Sequence, residues 1–299
     1  MNVGFIGVGN MGNPMAANLL KAGHTMKVTD LRREAAKNLE ESGATWVSSA
    51  KEAATDIDYV FLSLPMPKDV ENVVLSENGI LAAMKSGTTI VDMSTNSPTV
   101  VRNLAQKTKA KGVNFLDAPV SGGVRGARSA TLAIMAGGEK TVYDKCEPLL
   151  KAMGANVFYC GAIGAGNVVK LVNNMLAFIH MMGAAEAVVL GTKAGVDPNV
   201  IWQAVKASSG GSFVWESGTR AILRDKLAPT FTIDLARKDI GLAIQLAKEF
   251  DVPLTMGSAA EGLIDNYQKT GYAKEDVLAT VKELEKLAGV TVRGTWKGE

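Results

Sequence analysis

Along the first half of the chain, short unbroken apolar runs alternate with longer stretches in which apolar residues recur every three or four positions. The runs Asn2–Gly7, Met26–Asp30, Tyr59–Leu64, Thr88–Asp92, Asn114–Asp117, Thr131–Ala136 and Asn156–Tyr159 predict strands. The periodic stretches Met11–Lys21, Arg32–Ser42, Thr99–Lys111 and Lys140–Leu150 predict helices between them. Glycine and proline punctuate the joints, with Pro65 and Pro67 closing the third strand. Strands that are apolar throughout, each followed by a helix, are the pattern of βαβ units on a parallel sheet.

Near Gly161 the pattern changes. Gly161-Ala162-Ile163-Gly164-Ala165-Gly166 opens a single helical pattern that runs to about Lys193, with Gly195 as its stop signal. Beyond it only helices and loops are expected: Pro198–Ala207, a loop through Gly210–Gly211, then Asp234–Phe250, Gly257–Lys269 and Lys274–Leu287. The expected architecture is an α/β Rossmann domain with a doubly wound, mostly parallel sheet over residues 1–163. An all-α domain over residues 164–299 follows, opening on a long interdomain helix.

Bulk properties narrow the function classes. The chain has 299 residues, 47% of them hydrophobic and 21% charged, with 32 basic and 30 acidic side chains. So even a balance gives no reason to expect nucleic acid or an anionic membrane surface as a partner. Two cysteines, Cys146 and Cys160, and two histidines, His24 and His180, are too few for a disulfide framework or a His- or Cys-rich metal centre. No metal is expected. The most membrane-like stretch, Leu171–Ala185, is shorter than the roughly 20 residues a span needs and carries Asn173, Asn174 and His180. With the first strand starting at Asn2 there is no expected leader, and the expected location is cytoplasmic.

The first strand runs into Gly7-Val8-Gly9-Asn10-Met11-Gly12 and then into a helix. In such a turn the first glycine permits the bend, the second admits a pyrophosphate close to the backbone, and the third lets helix pack on strand. The helix end supplies positive partial charge to the phosphates. The glycine pattern alone is weak evidence; its position between strand and helix, with Asp30 ending the second strand 18 positions beyond Gly12, makes it specific. Asp30 would accept hydrogen bonds from ribose hydroxyls and repel a 2′-phosphate, which favours NAD. Arg32 and Arg33 are placed to grip that phosphate instead, which would favour NADP.

Four ordered motifs then give the chain a family resemblance. They are Gly4–Gly12 with Met15-Ala16, Asp117-Ala118-Pro119-Val120-Ser121-Gly122-Gly123, Gly164-x-Gly166-x-x-x-Lys170-Leu171-x-Asn173-Asn174, and Asp234-Leu235-x-x-Lys238-Asp239. Together they resemble the β-hydroxyacid dehydrogenase family, whose members include 3-hydroxyisobutyrate dehydrogenase and the tartronate semialdehyde and glyoxylate/succinic semialdehyde reductases. The resemblance implies that Ser121, Gly122 and Gly123 hold the substrate carboxylate, and a hydroxyl beside two unencumbered N–H groups is a reasonable anion nest. It makes Lys170 the catalytic lysine, taking the hydroxyl proton as hydride departs and returning it in reduction. Asn174, one turn further on, would bind substrate.

The resemblance also places Leu64, Pro65 and the Ser94-Thr95 pair, Thr95 above all, beside cofactor and substrate. Lys238 would close over the cofactor, and Phe231 and Asp239 would line or brace the site. An ordinary lysine, with pKa about 10.4, is a poor base at neutral pH. The expectation is that burial and the positive end of its helix both lower that of Lys170. The plainer alternative for Lys238 is an i, i+4 pair with Asp234, worth only about 0.5 kcal/mol.

An imine reductase shares this scaffold, but such relatives typically lack the lysine. A non-catalytic dinucleotide-binding module would not need Ser121, Lys170, Asn174 and Lys238 together. The substrate is left open. Arg125 competes with a solvent-facing role to bind a second acidic group, Gly210-Gly211 stands where many relatives have Gly-Arg, and Ala130 stands where relatives often carry glycine. Carboxylate- and sulfonate-bearing semialdehydes all remain candidates, and the long apolar helix suggests a homodimer or homotetramer.

Overall fold

The structure, a computed structural model, describes residues 1–298 and divides into two compact units that meet in sequence at Lys170/Leu171. The division lies inside the long helix rather than at 163/164. The reason is local: buried hydrogen bonds from Gly164 and Asn167 to Asp117 hold the first turn of that helix to the sheet of the first unit.

In the first unit the strands are β1 (Asn2–Ile6), β2 (Thr25–Thr29), β3 (Thr45–Trp46), β4 (Tyr59–Leu62), β5 (Thr89–Asp92), β6 (Asn114–Asp117), β7 (Val120–Ser121), β8 (Ala133–Gly137) and β9 (Asn156–Gly161). They form one sheet in the order β3-β2-β1-β4-β5-β6-β8-β7, with β9 beside β8. Pairing is parallel except where β8 meets β6 and β7. The helices are α1 (Gly12–Lys21), α2 (Lys37–Glu41), α3 (Ala50–Ala53), α4 (Pro67–Leu75), α5 (Pro98–Lys109), α6 (Gly123–Arg128) and α7 (Lys140–Lys151).

Two apolar clusters cover the sheet. One joins Val3, Phe5, Met15, Leu19, Cys146 and Leu150, and the other joins Ile6, Val60, Leu62, Val74, Ile90 and Leu104. Phe5 of β1 stacks on Phe61 of β4 with ring centroids 5.9 Å apart, which locks the neighbouring strands in register. That register matters for function. Ile6 pairs with Thr29 and Leu62, Leu62 with Asp92, and Asp92 with Asp117, so β1, β2, β4, β5 and β6 end on a common line. The loops that follow start side by side at the carboxyl edge, with the change of winding direction between β1 and β4, where open α/β sheets bind ligands.

Several elements depart from expectation. Arg32–Ser42 is split into a 3-10 turn, Arg33–Ala36, and α2. Pro67 does not merely end a strand but opens α4, where its missing N–H is harmless. The Val124–Ser129 loop is largely α6, and β8 begins at Ala133 because Ala130 sits at φ +54° and turns the chain first.

The second unit carries most of α8 (Ala165–Lys193), then α9 (Pro198–Lys206), α10 (Arg220–Leu223), α11 (Ile233–Glu249), α12 (Thr255–Tyr267) and α13 (Val281–Ala288). Its only described strand-like pairing is the bridge Thr232–Asp276. Two apolar clusters hold it, one around Val188, Trp202, Trp215 and Leu223, the other around Phe178, Ile240, Ile264 and Tyr267. The π turn Trp215–Thr219 before α10 was not expected; the Trp215 indole donates to the carbonyl of Trp202 at 3.0 Å. The expected single helix over Lys274–Leu287 is a 3-10 turn, Val277–Thr280, followed by α13, because Asp276 caps the turn through Leu278 N. At 29 residues α8 is long and apolar enough to cross a membrane, yet it buries the polar side chains of Asn167, Lys170 and Asn174.

Candidate active site

The turn after β1 has the geometry its glycines imply. Gly7 sits at φ +86°, and a Cβ there would lie 2.3 Å from the Ser63 carbonyl oxygen. A Cβ on Gly12 would lie 1.8 Å from the Gly7 oxygen, so α1 rests directly on the turn. Around Gly9, by contrast, no protein atom would come within 4 Å of a Cβ. The first turn of α1 has no acidic residue and no side-chain cap. Open space over Gly9 and uncapped N–H groups fit a dinucleotide pyrophosphate, with Val8 buried beneath and Asn10 and Met11 at the rim. A cavity of about 710 Å3 adjoins the turn, lined by Gly9, Asn10, Asn13, Arg32 and Arg128 among others, and does not include Ser121 or Lys170.

Asp30 follows β2 and accepts the Arg32 backbone N–H on Oδ1 at 3.1 Å, which fixes the carboxylate. Arg33 is tied elsewhere: it pairs with Glu40 at 3.0 Å and stacks over Trp46. Of the two arginines that might have held a 2′-phosphate, only the exposed Arg32 remains placed for it. Between Asp30 and Arg32, Leu31 is entirely exposed, an apolar side chain with no counterpart among the residues expected at the site.

At the ends of β4 and β5 the loops are stitched together. Leu64 N donates to Ser94 Oγ at 2.9 Å, and Ser94 N donates to Asp92 Oδ1 at 3.0 Å. Ser94 is buried and serves this junction, while its neighbour Thr95 and Leu64 are partly buried and Pro65 is exposed. Beyond β6, Ser121 pairs with Ala133 of β8, and the chain then takes positive φ at both Gly122 (+126°) and Gly123 (+61°) before α6. Both glycines are exposed, so their backbone is open to a ligand. Arg125 and Arg128 are also exposed on α6.

Lys170 is buried, with 7% of its surface accessible, on the second turn of α8. That helix begins flush on the sheet: a Cβ on Gly166 would lie 2.2 Å from the Met135 oxygen and 2.8 Å from that of Asp117. The fully buried Asp117 carboxylate accepts from Gly164 N at 2.7 Å, from Asn167 N at 2.7 Å and from Asn167 Nδ2 at 3.1 Å. The first turn of α8 is therefore met by the Asp117 carboxylate, and Lys170 is buried as expected.

Burial pushes the Asp117 carboxyl up to about 6, against the downward pull of its three donors. Because the folded-state value lies above the ordinary one, its stabilising contribution is full below about pH 4 and is lost as pH rises through 6. Between pH 4 and 7.5 the protein is expected to lose about 2.4 kcal/mol of unfolding free energy relative to Asp117→Asn. Urea midpoints at the two pH values check this, and a constant difference would refute it.

In the second unit, Asn174 is buried and its Nδ2 donates to Asp239 Oδ2 at 2.6 Å; exposed Asn173 donates to Asn174 Oδ1 at 3.1 Å. Lys238 Nζ stands 2.9 Å from Asp239 Oδ1, outside hydrogen-bond geometry, so this contact is a charge pairing. The Asp234 carboxylate accepts from Gln268 Nε2 at 2.7 Å and from Lys274 Nζ at 2.6 Å. Phe231 stacks on Phe178 within the apolar core, its centroid 6.0 Å away. Among the described residues no group of three His, Cys, Asp or Glu side chains is placed to hold a metal ion.

Comparison with known proteins agrees with this geometry. Residues 2–161 match the model of the NAD-binding domain of 6-phosphogluconate dehydrogenase, and residues 164–284 that of the NAD-binding region of NADP-dependent 3-hydroxyisobutyrate dehydrogenase. The 2-(hydroxymethyl)glutarate dehydrogenase of Eubacterium barkeri is 39% identical over 98% of each chain. The 3-hydroxyisobutyrate dehydrogenase of Pseudomonas aeruginosa is 40% identical over 88% of this chain and 90% of its own. The structure of Mycobacterium tuberculosis 3-hydroxyisobutyrate dehydrogenase with L-serine superposes with a TM-score of 0.85 at 32% identity, covering 95% of this chain and 98% of that one.

Proposed function

The chain belongs to the β-hydroxyacid dehydrogenase family and is an NAD(P)-linked dehydrogenase acting on a hydroxyl group, and from that premise we propose that it interconverts a small 3-hydroxyisobutyrate-like β-hydroxy acid and its semialdehyde, preferring NAD. The bound nicotinamide supplies the hydride acceptor or donor. Ser121 and the N–H groups of Gly122 and Gly123 hold the substrate carboxylate. Lys170 takes the hydroxyl proton in oxidation and returns it in reduction, and Thr95 and Asn174 orient the reacting carbon. One observation carries this reading: the Asp117 carboxylate ties the strand that leads into Ser121 to the helix turn that leads into Lys170. An anion nest and a buried amine are thus held by a single anchor.

The preference for NAD rests on Asp30, its carboxylate fixed by the Arg32 backbone N–H. Asp30→Ala is expected to lower kcat/KM with NAD about tenfold more than with NADP, the loss of one to two hydrogen bonds to a charged acceptor. An unchanged ratio of the two would overturn the ribose assignment. A second reading, a substrate with two carboxylates, is favoured by the exposed Arg125 two residues past Gly123 and by the dicarboxylate acted on by the E. barkeri relative. A reductase for a sulfonate-bearing aldehyde would use the same arginine. Exposed Val172, Leu176 and Leu190 on α8 support a homo-oligomer.

The deciding experiment is an NADH-absorbance assay of 3-hydroxyisobutyrate, L-serine, 3-hydroxypropionate and 2-(hydroxymethyl)glutarate with each cofactor. The highest kcat/KM is expected for a monocarboxylate with NAD. Preference for the dicarboxylate would favour the second reading, and no turnover of any compound would refute both.

A further inference from the structure

Behind the residues assigned so far lies a set of fully buried polar side chains, Asp92, Asn96, Asn167 and Asp117, each with no accessible surface. Asn96 Nδ2 donates to Asp92 Oδ2 at 3.1 Å, and Asn96 N donates to Asn167 Oδ1 at 2.7 Å. Asn167 Nδ2 then donates to Asp117 Oδ2 at 3.1 Å, and Asn96 Oδ1 accepts from Ser97 N at 2.7 Å. Every side-chain oxygen and nitrogen of the two asparagines is therefore engaged. Burying such groups is costly unless they are paired, so the chain holds only where all its members sit in one arrangement.

We infer that Asn167 is a positioning residue for Lys170, acting through this chain to set the rotation and height of the first turns of α8 against the ends of β5 and β6. Asn167 is the member that links them: its carbonyl oxygen takes the β5–α5 loop and its amide takes β6. It stands three residues before Lys170 on the same helix, so the two share a face about one turn apart. The other arm reaches the cofactor side. Thr95 lies inside the bend closed by Asn96 on Asp92, and Ser94 within the same bend holds Leu64 N. One chain of hydrogen bonds thus sets the lysine relative to both strand-end loops. An apolar side chain of the same volume would fill the space but would not fix the angle. A misplacement of about 1 Å at a reacting group can cost roughly 100-fold in rate.

The inference rests on Lys170 being the general acid/base, and the test separates the two. Asn167→Leu, close in volume, is expected to lower kcat 30- to 100-fold while KM and the NADH dissociation constant, read by fluorescence, stay within about threefold. Asn167→Gln, which keeps the amide, should recover at least a third of the lost activity on a logarithmic scale. Should Asn167→Leu fail to fold, Asn167→Ser, with its small polar group, is read instead and should show the same split. Turnover within threefold of the parent, or parallel losses in kcat, KM and NADH affinity with no rescue by Gln, would overturn the positioning role. In either case Lys170→Ala would still be inactive. Near-normal turnover by Lys170→Ala would instead overturn the lysine assignment, and this inference with it.

Discussion

Lys170→Ala is expected to lower kcat by about 1,000-fold while the NADH dissociation constant stays within about twofold of the parent. The size follows from what a positioned proton-transfer group contributes, typically 100- to 10,000-fold. The separation follows from placement: Lys170 stands on α8, whereas the glycine turn and Asp30 lie beyond β1 and β2. The side chain is buried, so its removal leaves a small cavity at the second turn of a 29-residue helix rather than an altered surface. Small primary amines should enter that cavity and restore part of the rate, the more basic amines restoring more. Rescue of this kind distinguishes a lost proton-transfer group from a distorted site. A kcat within tenfold of the parent would remove Lys170 from the mechanism, leaving fold and cofactor site intact.

The parts of this site that are legible in sequence are those encoded by local geometry. The bend at Gly7 and the close approach at Gly12 follow from the glycine pattern itself, and Asp30 stands directly after the next strand. Asp117 was visible only as the first letter of a motif. Its work, capping a helix that begins 48 positions later, is a long-range pairing that no periodicity reports. Asn167 likewise looks like an ordinary polar residue in a helix's first turn, and only its zero accessibility and two strand-end partners give it a role.

Among the fold elements, the misses are short or glycine-bearing. The segment of α6, Gly-Val-Arg-Gly-Ala-Arg, has two poor helix formers in six residues and is helical because Gly122 starts it and Ala127 packs into the core. The π turn at Trp215 owes its shape to indole packing rather than to local preference. Lys238 stands against Asp239, and Asp234 is engaged by Gln268 and Lys274, distant in sequence. In each case tertiary contacts decided between local alternatives.

Two substitutions in the glycine turn should fail in different ways, and the difference tests where the cofactor lies. A Cβ on Gly12 would come 1.8 Å from the Gly7 oxygen, 2.9 Å from the Gly7 carbonyl carbon and 3.1 Å from Phe5 Cε1. None of these can yield cheaply. Gly7 is held at φ +86° with its N–H on the Thr29 oxygen at 3.0 Å, and Phe5 is fully buried in the stack with Phe61. Gly12→Ala must therefore lift α1 from β1, costing about 1–3 kcal/mol or more of stability and weakening NADH by about 100-fold or more, which is about 2.7 kcal/mol. At Gly9 no protein atom lies within 4 Å of the added methyl, so Gly9→Ala should fold with a melting temperature close to the parent's. Its methyl would stand in the space assigned to the pyrophosphate, and NADH should still bind at least tenfold more weakly. Fluorescence titration beside thermal denaturation reads both quantities. Parent-like NADH binding by a stable Gly9→Ala protein would show that the phosphates do not cross the turn there, whereas affinity lost without stability marks the contact directly.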